Sequence, residues 1–382
     1  MKCENLFSII DELNDEYIKI WEDVCNIESQ TKDKADVDAV CDYFVKLAEK
    51  HGWDIEKLEL ETAGSPVCIT MNTDASGAPI VFSGHADTVH PKGLFGYPPT
   101  KIEGDKIYGP GVEDCKGGIV SAFMAMDALE KVGFDARPVK LIIQTDEETS
   151  SKTSGKKTVE FMCEKSKGAV AFLNGEGYSE GKLILQRKGI VRFRFNVTGK
   201  AAHSSKCYLG VNAVAEAAHK ILELEKMKDA DGITCNCGVI EGGTVANAVA
   251  EKCSFLVDIR FVNEEQYKAA EKTVKRVAKT SYIDGSSCEI EEISLRPSMP
   301  LNDKNIELFN KTNEIYAQNG MPVLEMGMAN GGSDAAYITQ LGVPCVDDVG
   351  VHGGRIHSKE EFAYISSLAE SAKRNAAVAY CL

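Results

Sequence analysis

The chain has 382 residues, enough for a large buried core and two domains. Its formal net charge of −15 excludes the basic footprint of a nucleic-acid binder. No apolar stretch approaches the ~20 residues of a membrane helix, and the early acids Asp11, Glu12, Asp15 and Glu16 exclude a secretory leader, so no membrane association and a cytoplasmic location are expected. The 13 cysteines are odd in number and scattered. Even the pair Cys235 and Cys237 reads as small buried hydrophobes in a reducing compartment.

Residues 5–24 place Leu6, Ile9, Ile10, Leu13, Tyr17, Ile18 and Trp21 at helical spacing, and a second helix from about Ala35 sets Val37, Val40, Phe44 and Leu47 on one side. Strands are predicted at Val67–Met71 and Ile80–Ser83. The glycine-rich segment G-P-G-V-E-D-C-K-G-G (109–118) leads into an apolar helix, Ile119–Val132. Buried strands follow at Val139–Gln144, ending in T-D-E-E, and at Ala169–Leu173, ending in N-G-E-G. Strands alternating with helices predict a mostly parallel mixed sheet covered on both faces.

The texture changes at about Gln186. Val191, Phe193, Phe195 and Val197 alternate with Arg192, Arg194 and Asn196, which marks a strand buried on one side. A helix (Asn212–Lys226), a strand (Ile233–Ile240), a second alternating strand through Phe255–Phe261, a helix (Glu264–Lys279) and a strand (Ser287–Ile293) complete a ferredoxin-like β-α-β-β-α-β order. The first pattern then returns with a helix from Lys304, a buried strand at Val343–Val346 and a final helix from Glu360. The expected fold class is therefore α/β: a three-layer domain of residues 1–185 and 296–382, interrupted by an inserted ferredoxin-like domain, 186–295.

The acids and histidines fall where such a sheet gathers ligands, beyond the carboxyl ends of its strands. His85, Glu147, Glu148 and Glu176 each follow a predicted strand; Asp114 lies in the glycine-rich turn, and His357 follows the last strand. Two imidazoles (His85, His357) and three carboxylates (Asp114, Glu148, Glu176) can make a two-metal site. Nitrogen and carboxylate donors without thiolate suit zinc and also admit cobalt or manganese. Two divalent ions and a bridging hydroxide balance three carboxylates. Side chains two apart on a strand share a face, so Asp87 can fix one ring nitrogen of His85 while the other holds metal. Glu147 is left over beside a ligand, placed as a general base.

With these motifs in view, the chain resembles the dizinc metallopeptidase family of carboxypeptidase G (glutamate carboxypeptidase), acetylornithine deacetylase, succinyl-diaminopimelate desuccinylase and aminoacylase. The resemblance runs through S-G-H-A-D-T-V, G-P-G-V-E-D-C-K-G-G, T-D-E-E, N-G-E-G, G-K-A-A-H-S, G-G-T-V-A-N, D-I-R, G-G-S-D-A and H-S-K-E-E. It implies Asp114 as the bridging ligand, His85 and Glu176 on one metal, Glu148 and His357 on the other. It also implies Glu147 as base, Asp87 as partner of His85, and a cis peptide at Asp114–Cys115, with Cys115 standing where relatives often have Asp. The inserted domain would act as lid and dimerisation domain. From it His203 would reach the partner subunit's site as an oxyanion donor, while Asn247 and Arg260 would hold the substrate's carboxylate. Backbone N–H groups of Gly331, Gly332 and Ser333 can take the same carboxylate, with Asp334 as the helix cap.

Among the remaining histidines, His90 reads as a surface loop residue, His352 lacks the H-S-x-x-E context of His357, and His51 and His219 need no special role. The expectation is a zinc hydrolase acting on small peptides or N-acyl amino acids, cleaving an amide beside a free carboxylate and nearest the glutamate carboxypeptidases. An N-acyl-amino-acid deacylase shares the metal core, and specificity would lie around Tyr97, Lys182, Arg187 and Tyr208. An inactive metal-binding protein would have lost Glu147.

Overall fold

The apolar runs of the sequence become the centre of one sheet. In a computed structural model, which describes residues 2–229 and 232–382, six strands among the described residues lie in the order 54–57, 67–71, 139–144, 80–85, 171–174, 345–346. The three pairings from 139–144 through to 345–346 are parallel, and the two at the other edge are antiparallel. Val67–Met71 and Ile80–His85 are buried along their whole length, which is why they read as continuous apolar runs rather than alternating ones.

The strand order has a consequence for ligands. Ile80–His85 lies between Val139–Gln144 on one side and Ala171–Asn174 on the other, so the chain reverses its winding across it. Such a reversal opens a crevice at the carboxyl end of the central strand. His85 ends that strand.

Helices Glu4–Cys25, Lys116–Lys131 and Ser366–Cys381 pack together in the main core. Lys116–Lys131 is buried over Lys116–Leu129, as expected of a helix apolar all round. Its start is three residues earlier than predicted, because Gly117 and Gly118 belong to it. A Cβ on Gly118 would lie 1.9 Å from the Gly175 carbonyl oxygen, so glycine lets the 174–176 turn press against the helix start.

Other predicted elements differ at their ends. The final helix begins at Ser366, not Glu360, since Phe362–Tyr364 is a strand in a small antiparallel sheet with 353–354, 106–108 and 101–103. Those strands are two or three residues long, too short to show a period in sequence. The last strand of the main sheet is only Cys345–Val346, and Ile80–Ser83 continues to His85.

The chain divides into two compact units: one runs up to Gln186 and includes Leu301–Met328 and Tyr337–Leu382, the other is Arg187–Pro300 with Ala329–Ala336. The second unit holds an antiparallel sheet in the order 234–242, 252–261, 189–198, 287–296, with helices Ala213–Leu224 and Glu264–Lys279, the β-α-β-β-α-β order that the alternation predicted. Val191, Phe193, Phe195 and Val197 join Phe255, Val257 and Ile259 in its core, and on the other face Arg192 Nε donates to Asp258 at 2.8 Å. Between the helices, Lys220 and Glu216 form a buried ion pair at 3.0 Å. Lys220 also donates to the carbonyls of Val277, Ala278 and Thr280, which offsets the cost of burying both charges.

Candidate metal centre

Three strand ends and two loops of the first unit converge. His85 Nε2 lies 3.0 Å from Asp114 Oδ1 and 3.8 Å from Glu176 Oε2. His357 Nε2 lies 3.2 Å from Asp114 Oδ2 and 3.3 Å from Glu148 Oε2. Asp114 thus turns one oxygen toward each imidazole. The Asp114–Cys115 peptide is cis.

The hydrogen-bond partners of His85 settle its tautomer. Nδ1 lies 2.9 Å from the Asp87 carbonyl oxygen, and a carbonyl can only accept. The Nδ1 atom therefore carries a hydrogen, and Nε2 faces two carboxylate oxygens. Acceptor facing acceptor at 3.0 Å needs a cation or a proton between them. Donor atoms around a tetrahedral ion with bonds of ~2.0–2.1 Å are themselves about 3.3 Å apart. The spacings found bracket that value, so these donors could hold metal: His85, Asp114 and Glu148 lie within 4.8 Å of one another, as do His85, Cys115 and Glu176, and His357 Nε2 approaches both Asp114 and Glu148.

Without a cation the site is electrostatically unbalanced. Burial pushes Glu148 up to about 7 and Glu176 up to about 8. Against the effect of burial, His85 is held well above the ordinary histidine range by Cys115, Asp114, Asp87 and Glu176. Hydrogen bonds donated to Asp114 and Glu148 raise His357 to about 10. The carboxyl of Asp114, despite burial, is held well below the usual range by His357 and His85. Clustered, strongly shifted groups of this kind mark functional sites.

Asp87 meets His85 through both its carboxylate and its main chain. The carbonyl oxygen of Asp87 takes the ring hydrogen, and the carboxylate, 3.5 Å from Nδ1, turns to the loop beyond the neighbouring strand. There it accepts the backbone N–H groups of Glu147 (3.1 Å) and Glu148 (3.3 Å) and the Thr31 hydroxyl (2.7 Å). Asp87 is completely buried. One residue thus orients a histidine with its main chain and fixes the Glu147–Thr149 turn with its side chain.

His90 corrects an expectation. It is not on the surface: it is buried, and its Nε2 lies 2.7 Å from Glu361 Oε2. Glu361, also fully buried, accepts the backbone N–H groups of Gly111 (3.3 Å), Glu113 (3.0 Å) and Asp114 (3.1 Å). The pair clamps the loop that carries the shared carboxylate. Sequence reasoning missed both, although Glu361 stands at a fixed distance from His357 in the H-S-K-E-E run. Lys116 props the same segment from beneath, donating from full burial to the Val24 and Ile27 carbonyls.

In the second unit the predicted residues fall into two groups. His203 caps a 3-10 turn, and its Nδ1 accepts from the Ser205 backbone N–H at 3.2 Å. That leaves Nε2 as the hydrogen-bearing nitrogen of the exposed neutral ring. Asn247 is alongside, its carbonyl accepting the Ser204 N–H at 2.9 Å. The other group surrounds the turn at 330–334: Arg260 Nη1 donates to the Asn330 carbonyl at 2.8 Å and Arg187 Nη1 to the Gly331 carbonyl at 3.4 Å. Arg296 lies 3.7 Å from Asp334. Ser333 is buried, its hydroxyl accepting the Ala335 N–H at 3.2 Å.

Residues 81–380 match Peptidase family M20/M25/M40. Carboxypeptidase G2 of Pseudomonas sp. (strain RS-16) is 29% identical over 360 residues, covering 92% of this chain and 85% of that protein. A Staphylococcus aureus (strain MRSA252) protein named "Probable succinyl-diaminopimelate desuccinylase" is 27% identical over 290 residues, 65% of this chain and 68% of that one. Among solved structures, the aminopeptidase PepT of Bacillus cereus superposes with a TM-score of 0.77 at 22% identity, covering 96% of this chain and 98% of the other.

Proposed function

This chain belongs to peptidase family M20/M25/M40 and is a metal-dependent peptidase or amidohydrolase; from that premise we propose that it is a dizinc carboxypeptidase or dipeptidase, cleaving the amide bond next to a free carboxylate, with glutamate as the residue released. The observation that carries the reading is the donor set: Asp114 dividing its two oxygens between His85 and His357, with Glu176 and Glu148 completing the sets. Two zinc ions held there would polarise the scissile carbonyl and make water acidic enough to attack at neutral pH.

The protein's own groups do the rest. Glu147, buried and held by Asp87 through its backbone N–H, accepts the proton of the attacking water and returns it to the leaving amine nitrogen. His203, whose Nε2 carries the hydrogen, reaches the partner subunit's site and donates to the carbonyl oxygen as negative charge develops there. The Arg260 guanidinium, with the Asn247 amide and the N–H groups of Gly331, Gly332 and Ser333, takes the free carboxylate of the substrate. A deacylase releasing a small acyl group from an amino acid is the second reading, favoured by the match to the desuccinylase. We assign the second unit to lid and dimer formation. Its edge strand Thr234–Gly242 exposes Val239 and Ile240, with Leu222 exposed on the adjoining helix, and the mass in solution tests this.

Hydrolysis of one panel by zinc-reconstituted protein tests the reading: N-acetyl and N-succinyl amino acids, dipeptides, and N-acyl or aroyl glutamates, with Glu147→Gln as the blank. Selective cleavage of peptides or acyl glutamates, reduced roughly 10²- to 10⁴-fold in the blank, is the expected result. Preference for small acyl groups moves the protein to the deacylases. Equal rates in both proteins overturn the assignment of Glu147.

A further inference from the structure

We propose that Cys3 and Cys381 form an oxidisable dithiol, a modification site at which a small-molecule disulfide converts two thiols into a cross-link within the chain. Their sulfurs lie 3.6 Å apart although 378 positions separate them in sequence. Cys3 immediately precedes helix Glu4–Cys25, and Cys381 ends helix Ser366–Cys381. Both helices pack against Lys116–Lys131 in one core, so tertiary structure fixes the approach of the two sulfurs. A disulfide bond is ~2.05 Å long. Closure therefore needs the sulfurs to approach by about 1.5 Å, at the ends of two helices.

Access is one-sided. Cys3 is 1% exposed and Cys381 is half-buried, while Lys2 and Glu4, on either side of Cys3 in the chain, line a cleft of about 240 Å³ with Phe7 and Gln318–Gly320. The Cys3 backbone N–H donates to Asn319 Oδ1 at 2.8 Å, which ties the residue to that cleft wall. Burial, then the neighbouring Cys381, pushes the Cys3 thiol up to about 12. Cys381, the more exposed residue of the two, reacts first. As thiolate it attacks one sulfur of glutathione disulfide and releases one glutathione thiolate. Cys3, giving up its proton, then attacks the Cys381 sulfur of the mixed disulfide and releases the second. Two electrons pass from the protein to glutathione disulfide, and the two cysteine protons end on the two glutathione thiols.

The bond would close a loop spanning nearly the whole chain and constrain its unfolded state. It touches none of the metal-centre residues, so its effect is on unfolding rather than turnover.

The test treats the folded, metal-loaded protein with glutathione disulfide, removes the excess, and counts thiols after denaturation. The expected result is a loss of two of the 13 thiols, one peptide pair joined through Cys3 and Cys381, and a higher urea midpoint that dithiothreitol reverses. In Cys3→Ser the cross-link is absent, Cys381 holds a glutathione adduct, and oxidation leaves the midpoint unmoved; Cys381→Ser serves should that variant fail to fold. Two outcomes overturn the proposal. One is a persistent glutathione adduct on Cys381 beside an intact Cys3 thiol in the unsubstituted protein. The other is thiol loss confined to other cysteines, such as Cys235 and Cys237.

Discussion

Asp87, His90 and Glu361 touch no candidate substrate position, yet they hold the groups that do. Glu361 accepts three backbone N–H groups from the 111–114 loop and closes on His90. Replacing it by glutamine keeps the volume but puts a donor where acceptors are needed, so part of the loop loses its anchor. Glu361→Gln is expected to weaken metal binding by roughly 10- to 100-fold, the scale seen when the partners of metal ligands are altered. Competition with a chromophoric chelator measures it. Unchanged affinity would reduce Glu361 to a packing residue. These roles were only partly legible in the sequence. The five candidate ligands stand out because each follows a strand or opens a helix, and Glu147 because it is left over beside one of them. His90 and Glu361 are 271 positions apart, and no local pattern links a loop histidine to the second acid of an E-E pair.

At the scale of elements, the metal centre depends on how closely the 174–176 turn packs on the start of the helix Lys116–Lys131. A methyl at Gly118 would meet the Gly175 carbonyl at 1.9 Å, and the turn must retreat, taking Glu176 with it. Gly118→Ala is expected to destabilise the protein by about 1–3 kcal/mol and to lower metal affinity as well, measured by urea unfolding and chelator competition. A stability loss with full metal affinity would show that the turn moves without its glutamate. Helices and long strands were readable because their apolar periods extend over many residues. The four short strands around 101–108 and 353–364 were not, since two or three residues carry no period. The pairing of 106–108 with 362–364 joins residues more than 240 positions apart.

For the molecule as a whole, the unbalanced charge of the metal-free site links stability to pH. Glu148 near 7, Glu176 near 8 and His357 near 10 all sit above their ordinary values. Between pH 6 and 9 the metal-free folded protein therefore binds more protons than the unfolded chain, and its stability falls as pH rises. Metal replaces those protons. The thermal midpoint of the chelator-treated protein is expected to drop from pH 6 to pH 9, while that of the zinc-loaded protein does not follow it. A metal-free midpoint that climbs over that range would mean that the site is not the dominant titrating cluster. The two-unit organisation was legible where composition changes from continuous to alternating apolar runs. The association of Ala329–Ala336 with the second unit was not, because that segment follows a return to the first pattern.

The most direct test of a shared carboxylate is metal stoichiometry. Elemental analysis of the zinc-reconstituted protein and of Asp114→Ala, Glu176→Ala and His357→Ala, after dialysis at one free-zinc concentration, reads it out. The arrangement of Asp114 between His85 and His357 predicts two ions per chain, one in each of the Glu176 and His357 variants, and neither retained without Asp114. Two ions kept by Asp114→Ala, or a single ion in the unsubstituted protein, would contradict the bridged two-metal centre.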